Sequence, residues 1–369
     1  MEPSELPSRR AYLERQKEQG RRVMGVFPGR CPRELFWAAN VVPAEIWDPP
    51  QSTGRSNAHL QPTICSVVKA GLELVLQDGG ALLDGFVFPH TCDSIQNLGS
   101  LVRDYLDLDR PCLFFYPPKA PYGPAARSFL RREVERLREE LEAIWGPIDP
   151  GELQHRAGQG RELAAVLSSL YALRAERRLS ASNVEFYRAI RSVEYLHPED
   201  ALPFLQGFLK DRERSTPSPG PCLVLSGVLP SPVELLSLLD ELGVRIGDDD
   251  LLSCGRRIPG ALEAGGDPVD QLAGAVPAMP ACSTANSPMQ ERCEQLIRRT
   301  RGCGARGVLF NVIKFCEPEL FYHPRLKEVL RGEGLSSLLL EQEVQGGLSG
   351  QARTRIEAFA EMTTASEKP

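Results

Sequence analysis

No apolar run in the chain is longer than a strand, so none is long enough to cross a bilayer. The opening stretch MEPSELPSRRAYLERQKEQGRR mixes both signs of charge without an apolar core, and reads as neither a secretory leader nor a membrane anchor. A cytoplasmic protein with no membrane role is expected. Positive charge is short as well, with 43 Lys and Arg against 49 Asp and Glu, so the basic field that nucleic-acid binding requires is missing. No Gly-x-x-x-x-Gly-Lys-Ser/Thr loop occurs, and no Gly-x-Gly-x-x-Gly turn follows a strand-like run, which excludes a nucleotide fingerprint. The ten cysteines never form a close pair, so neither a zinc knuckle nor a ferredoxin-type run is present. In a reducing compartment they are buried hydrophobes, metal ligands or reactive thiols rather than a disulfide framework.

What is present is a repeated α/β grammar. A length of 369 residues calls for more than one core. Short apolar runs (VMGVF, AEIWD, GFVFP, PCLFFYPP) alternate with helix-like segments such as PRELFWAANVV, and the pattern returns after Pro219 with CLVLSG, PVELLSLLDELG, VRIGD and GVLFNVIKF. Strands separated by helices predict parallel sheets with crossover helices. Between the two units, Leu130, Val134, Leu137, Leu141 and Ile144 recur at helical spacing, and RELAAVLSSLYALRAERR, SASNVEFYRAIRSVEYL and PEDALPFLQGFLKDRER follow as further helices. The expected fold is α/β, two Rossmann/flavodoxin-like parallel-sheet domains joined by a helical region. The expected divisions are an N-terminal helical extension (1–21), a first α/β domain (22–125), a helical region (126–214) and a second α/β domain (215–369). RSTPSPGP, residues 214–221, reads as the linker.

The cysteines sort by position. Cys112 and Cys222 begin apolar strands, where packing is the expected role. Cys65 in QPTICSVVKAG, Cys92 in FPHTCDSI and Cys316 in NVIKFCEPE each follow an extended or proline-flanked segment and precede a helix opening. Backbone N–H groups and the helix dipole stabilise a thiolate at such a place. Spacing alone does not join the three into one site.

The words around them carry more. CPRELFWAANVVPAEIWDPP, CSVVKAGLEL, LDGFVFPHTCDSIQNLGSL, GVLFNVIKFCEPELFYHPRLK and LLLEQEVQGGLSGQARTRIEAFAEM resemble the family of 2-hydroxyacyl-CoA dehydratases and class I benzoyl-CoA reductases, over most of the chain from Arg22 to Met362. IWDPP, TCDSIQNLGSL and EQEVQGGLSGQ look closer to the benzoyl-CoA reductase branch. The resemblance implies a 4Fe-4S cluster on Cys65, Cys92 and Cys316 with one iron free of protein thiolate, and low-potential one-electron reduction of an acyl-CoA or aryl-CoA thioester to a radical anion. It also implies a homologous second subunit, or a second copy, and a separate ATP-hydrolysing iron–sulfur activator. Many family members carry a Tyr-Cys-Ser type sequence where this chain has Cys31 directly before Pro32. As a fourth ligand Cys31 would close the cluster for pure electron transfer; as a helix-entry residue, the expected role, it leaves the site open.

Other residues are candidates beside their ordinary roles. Glu45 at a strand end is a candidate acid/base or a rim carboxylate, and His90 a proton donor or cluster-tuning group, or a ring facing away. Arg256 and Arg257 are candidates for binding CoA phosphates, with ion pairing as the alternative. Lys314 and Glu317 flank Cys316 with opposite charges. Two alternatives to a catalytic subunit stay open: an electron-transfer or double-cubane-type reductase, and a non-catalytic heterodimer partner.

Overall fold

The computed structural model describes residues 6–49, 54–77, 81–106, 108–262 and 264–365. Two four-stranded, all-parallel sheets organise the chain. After helix α1 (Arg9–Glu18), the first sheet is built from β1 (Arg22–Val26), β2 (Val41–Glu45), β3 (Gly85–Pro89) and β4 (Cys112–Phe115), in the order β2-β1-β3-β4. Its crossovers are α2 (Arg33–Ala38), α3 (Ser66–Leu76) and α4 (Asp93–Tyr105). All five residues of β2 and of β3 are buried, as expected for strands covered on both faces. Pro43 is tolerated because β2 is an edge strand.

Four helices follow: α5 (Pro124–Trp145), α6 (Pro150–Ala175), α7 (Asn183–Arg191) and α8 (Pro198–Arg212). On α5 the periodic residues Leu130, Val134, Leu137 and Leu141 are fully buried, whereas Ile144 is 39% exposed because the last turn runs beyond the core. Ser182 caps α7 in a reciprocal box with Glu185.

The second unit repeats the first. It comprises β5 (Cys222–Gly227), α9 (Val233–Glu241), β6 (Arg245–Leu251), α10 (Pro268–Ala278), α11 (Met289–Gly302), β7 (Gly307–Ile313), α12 (Glu317–Gly332), β8 (Ser336–Gln342) and α13 (Gly350–Ala365), with sheet order β6-β5-β7-β8. The fold is two Rossmann/flavodoxin-like units. In both sheets the strand order reverses beside the central pair, and at such a switch point the carboxyl ends of the strands open a crevice. One string, Gly302 to Gly307, spells Gly-x-Gly-x-x-Gly, but it leads out of α11 into β7, opposite to the strand-to-helix order of a dinucleotide site. Helix α10 leaves the second sheet, and its Val269, Leu272, Ala273 and Val276 pack into one core with Leu130, Val134 and Leu137 of α5. Residues 1–5, Pro50, which belongs to the IWDPP phrase, and the last four residues of the 215–369 division lie outside the described residues. Among the described residues no helix is long and apolar enough to cross a membrane.

Candidate functional site

Each of the three singled-out cysteines is the residue immediately before a helix: Cys65 before α3, Cys92 before α4, Cys316 before α12. At all three, the first-turn N–H groups approach the sulfur without a full capping hydrogen bond: those of Val67 and Val68 at Cys65, of Ser94 and Ile95 at Cys92, and of Glu319 at Cys316. The helices reach the cleft because they seat closely on the first sheet. A Cβ on Gly71 of α3 would lie 2.7 Å from the Phe27 ring, and one on Gly99 of α4 would lie 2.7 Å from Phe114 and 2.9 Å from Phe88. On the other side, the turn from β7 into α12 passes through Phe315 at φ +62°, a left-handed conformation that a bulky residue adopts only under constraint.

The three thiols are not electrostatically independent. Burial is the main cause that pushes each thiol up, Cys65 to about 11; negative charge on Cys92 adds to it at Cys65, that on Glu319, Cys65 and Cys92 at Cys316, and that on Asp93 at Cys92. Among the described residues, no three His, Cys, Asp or Glu side chains converge tightly enough to ligate a single metal ion.

Lys119 locks this region, and sequence reasoning missed it. Its Nζ donates to the carbonyls of His90 (3.1 Å), Thr91 (3.1 Å) and Thr284 (2.9 Å), joining the segment before Cys92 to the second unit. The adjacent Ala120 N–H donates to Ala285 O at 2.8 Å. The lone cation in PPKAP was the only signal at hand, because its acceptors are main-chain atoms. Also missed was Cys282, fully buried where the guanidiniums of Arg256, Arg30 and Arg292 face it; against the upward push of burial they bring the thiol down to about 7.

The candidates beyond the thiols fall in different places. His90 stands beside Cys92, its Nε2 3.9 Å from the exposed Asp93 carboxylate, and burial and Lys119 hold its imidazole below the usual range, in the neutral form. Glu45 is buried at the end of β2. There Arg257 grips it through both terminal nitrogens, Trp47 Nε1 donates to it at 2.7 Å, and Arg33 lies 3.6 Å away. Burial pushes this carboxyl up, but the two guanidiniums and the hydrogen bonds outweigh burial and keep it below the usual range. Such a carboxylate is a weak base.

Arg257 is thus occupied by Glu45, and Arg256 is fully buried. Arg256 donates to Glu319 (2.8 Å), Ser283 (3.0 Å) and the Gly227 carbonyl, with Asp250 3.8 Å from its Nε. In this arrangement both arginines serve interior ion pairs, and neither guanidinium is directed at an external phosphate. Lys314 and Glu317 are exposed, with Lys314 4.0 Å from Glu343. Cys31 sits among Glu45, Glu34 and Arg33 on a narrow cavity of about 80 Å³ that Arg257 also lines. A cavity of about 770 Å³ is bordered by Leu13, Ile46, Leu83, Tyr187 and Tyr195, and by none of the three thiols.

The sequence model of the 2-hydroxyglutaryl-CoA dehydratase D-component family matches residues 29–363. Among relatives, the chain is 26% identical to the lactoyl-CoA dehydratase subunit beta of Anaerotignum propionicum, across 94% of this chain and 92% of that one. It is 25% identical to the (R)-phenyllactyl-CoA dehydratase beta subunit of Clostridium sporogenes (95% and 94% covered), and 23% identical to a benzoyl-CoA reductase subunit of Thauera aromatica (85% and 83%).

Proposed function

Since the chain belongs to the 2-hydroxyglutaryl-CoA dehydratase D-component family and is an enzyme component of the dehydratase or benzoyl-CoA reductase type, we propose that it is the iron–sulfur subunit of an activator-dependent system acting on a CoA thioester. The observation that carries this reading is that Cys65, Cys92 and Cys316 each stand directly before a helix that opens at the carboxyl end of a sheet, two in the first unit and one in the second. An all-thiolate donor set suits an iron–sulfur cluster. Cys65, Cys92 and Cys316 are the residues that would hold such a cluster. When bound, a 4Fe-4S cluster supplies low-potential single electrons and an iron open to a substrate oxygen.

The chain's own residues do the rest. Cys65 and Cys92 hold from the first unit and Cys316 from the second, so the site spans the crevice. First-turn N–H groups stabilise negative charge on the sulfurs. Lys119 fixes the Thr91 carbonyl, and with it the approach of Cys92, while its ammonium offsets thiolate charge. His90, held neutral, stands beside the site as a proton acceptor. Glu45 and Arg257 neutralise one another and tie the two units together. Cys31 stays a helix-entry residue, leaving the open iron for substrate.

The identities of 26%, 25% and 23% do not separate dehydration of a 2-hydroxyacyl thioester from reduction of an aryl thioester. On either reading one electron is delivered to the thioester, and the chain works with a homologous second subunit, or a second copy, and a separate ATP-hydrolysing activator. The test is anaerobic co-purification with that subunit, followed by assay against 2-hydroxyacyl- and aryl-CoA thioesters. Turnover is expected only with activator and ATP, and the chain alone should hydrolyse no ATP. Partner-independent ATPase, or turnover without an activator, contradicts the reading.

A further inference from the structure

Two buried cysteines stand far from the three-thiol crevice, at the opposite end of the second sheet. Cys222 opens β5 and Cys303 follows the last residue of α11, and their sulfurs lie 3.9 Å apart across 81 residues of chain. They pack against bare backbone, since a Cβ on Gly247 would lie 2.3 Å from the Cys222 sulfur and 3.0 Å from Cys303 Cβ. Beside them is Arg245, at the start of β6, whose buried Nε and Nη2 make no full hydrogen bond. Those two buried nitrogens face the Cys222 sulfur, so a thiolate there would be met by positive charge. We propose that Cys222 and Cys303 form a redox-active dithiol that closes to an intramolecular disulfide when a small two-electron oxidant such as hydrogen peroxide reaches it, tying the start of β5 to the end of α11.

The two thiols have unequal roles. The sulfur–sulfur contact with Cys303, together with Arg245 of β6 and Arg177 beyond the end of α6, outweighs burial and brings Cys222 down to about 6; Arg174 of α6 also faces it. Cys303 keeps its proton, because its contact with Cys222, burial, and the nearby negative charges of Cys222 and Asp248 all push it up. Cys222 is therefore the nucleophile and Cys303 the resolving thiol. The Cys222 thiolate attacks peroxide: a sulfur–oxygen bond forms, the oxygen–oxygen bond breaks, and the departing hydroxide takes up a proton to leave as water. Cys303 then attacks the sulfenic sulfur, the sulfur–sulfur bond forms, the sulfur–oxygen bond breaks, and the hydroxyl leaves as water with the Cys303 proton. Two thiols are oxidised and one peroxide is reduced to two waters. The sulfurs close from 3.9 Å to a bond of about 2.05 Å by side-chain rotation and a small shift of the α11 end. With Cys222 only 5% and Cys303 2% exposed, small oxidants have access and protein disulfides do not.

The test uses the full-length chain, purified anaerobically, treated with stoichiometric peroxide, alkylated, digested without reductant and mapped by mass spectrometry. A peptide linking Cys222 to Cys303 is expected while circular dichroism stays native. Cys303→Ala should instead leave Cys222 as a sulfenic acid trapped by dimedone. Arg245→Gln should slow linkage about tenfold at pH 7, and the wild-type rate should fall below about pH 6. Recovery of both cysteines as free thiols, linkage only after native circular dichroism is lost, or a rate indifferent to Arg245→Gln overturns the proposal. Because the dithiol is remote from Cys65, Cys92 and Cys316, none of these outcomes bears on the iron–sulfur reading.

Discussion

Asp250 accepts both terminal nitrogens of Arg292, at 2.6 and 2.7 Å, and further donors from Ser226 and Gln295, all of them buried. Burial pushes this carboxyl up, but Arg292, Arg256 and Arg299 outweigh burial and hold it well below the carboxylate range. Removing one partner of such a buried pair strands the other, a loss of about 3–5 kcal/mol. Arg292→Leu should therefore lower the denaturation midpoint sharply at pH 7. The pH dependence follows from the sign of the shift. A depressed folded-state pKa stabilises above the unfolded value, about 3.9, and that contribution drains away as pH falls below it. The gap between wild type and Arg292→Leu should thus narrow below about pH 4, measured by urea unfolding across pH; an unchanged gap would remove Asp250 from this role. At this scale the sequence was partly legible. The three cysteines stood out because strand, cysteine and helix start are consecutive in the chain. The engagements of Arg256 with Glu319 and of Arg257 with Glu45 were not legible, since the partners lie 63 and 212 residues away.

Helices α3 and α4 deliver two of the three thiols, and their accuracy depends on how closely they lie on the sheet. The sequence showed the amphipathic stripe of α5 and the capped start of α7, because periodicity and capping are local signals. It did not show that α10 would abandon its own sheet for the core under α5, nor that Gly99 faces Phe88 and Phe114, because those contacts depend on tertiary packing. Gly99→Val would drive branched methyl groups into rings already 2.7 and 2.9 Å from a bare Cβ. Overpacking of this kind costs about 1–3 kcal/mol and lifts the helix. The expected outcome is lower stability together with lower iron retention on anaerobic purification, since the start of α4 moves with its body. Full iron occupancy in a destabilised Gly99→Val would uncouple helix seating from the site.

Across the whole molecule, two parallel-sheet units of the same strand order face one another across a crevice bridged by Glu45–Arg257, by Lys119 to Thr284, and by Val344 N–H to Ser66 Oγ at 2.9 Å. The two-unit α/β architecture was readable from the alternation of strand and helix patterns. The crevice was not, because its bridges connect residues that only the folded chain brings together. The thiols of Cys65 and Cys92 on one side and Cys316 on the other complete it, and the central claim is that these three, with no fourth, hold the cluster. The most direct measurement is iron and acid-labile sulfide per chain after anaerobic purification or reconstitution, for wild type, for Cys65→Ala, Cys92→Ala and Cys316→Ala, and for Cys31→Ser and Cys112→Ala. The account predicts about four irons and four sulfides in wild type, Cys31→Ser and Cys112→Ala, and their loss in the other three. Equal iron in all six proteins, or its loss in Cys31→Ser, would contradict it.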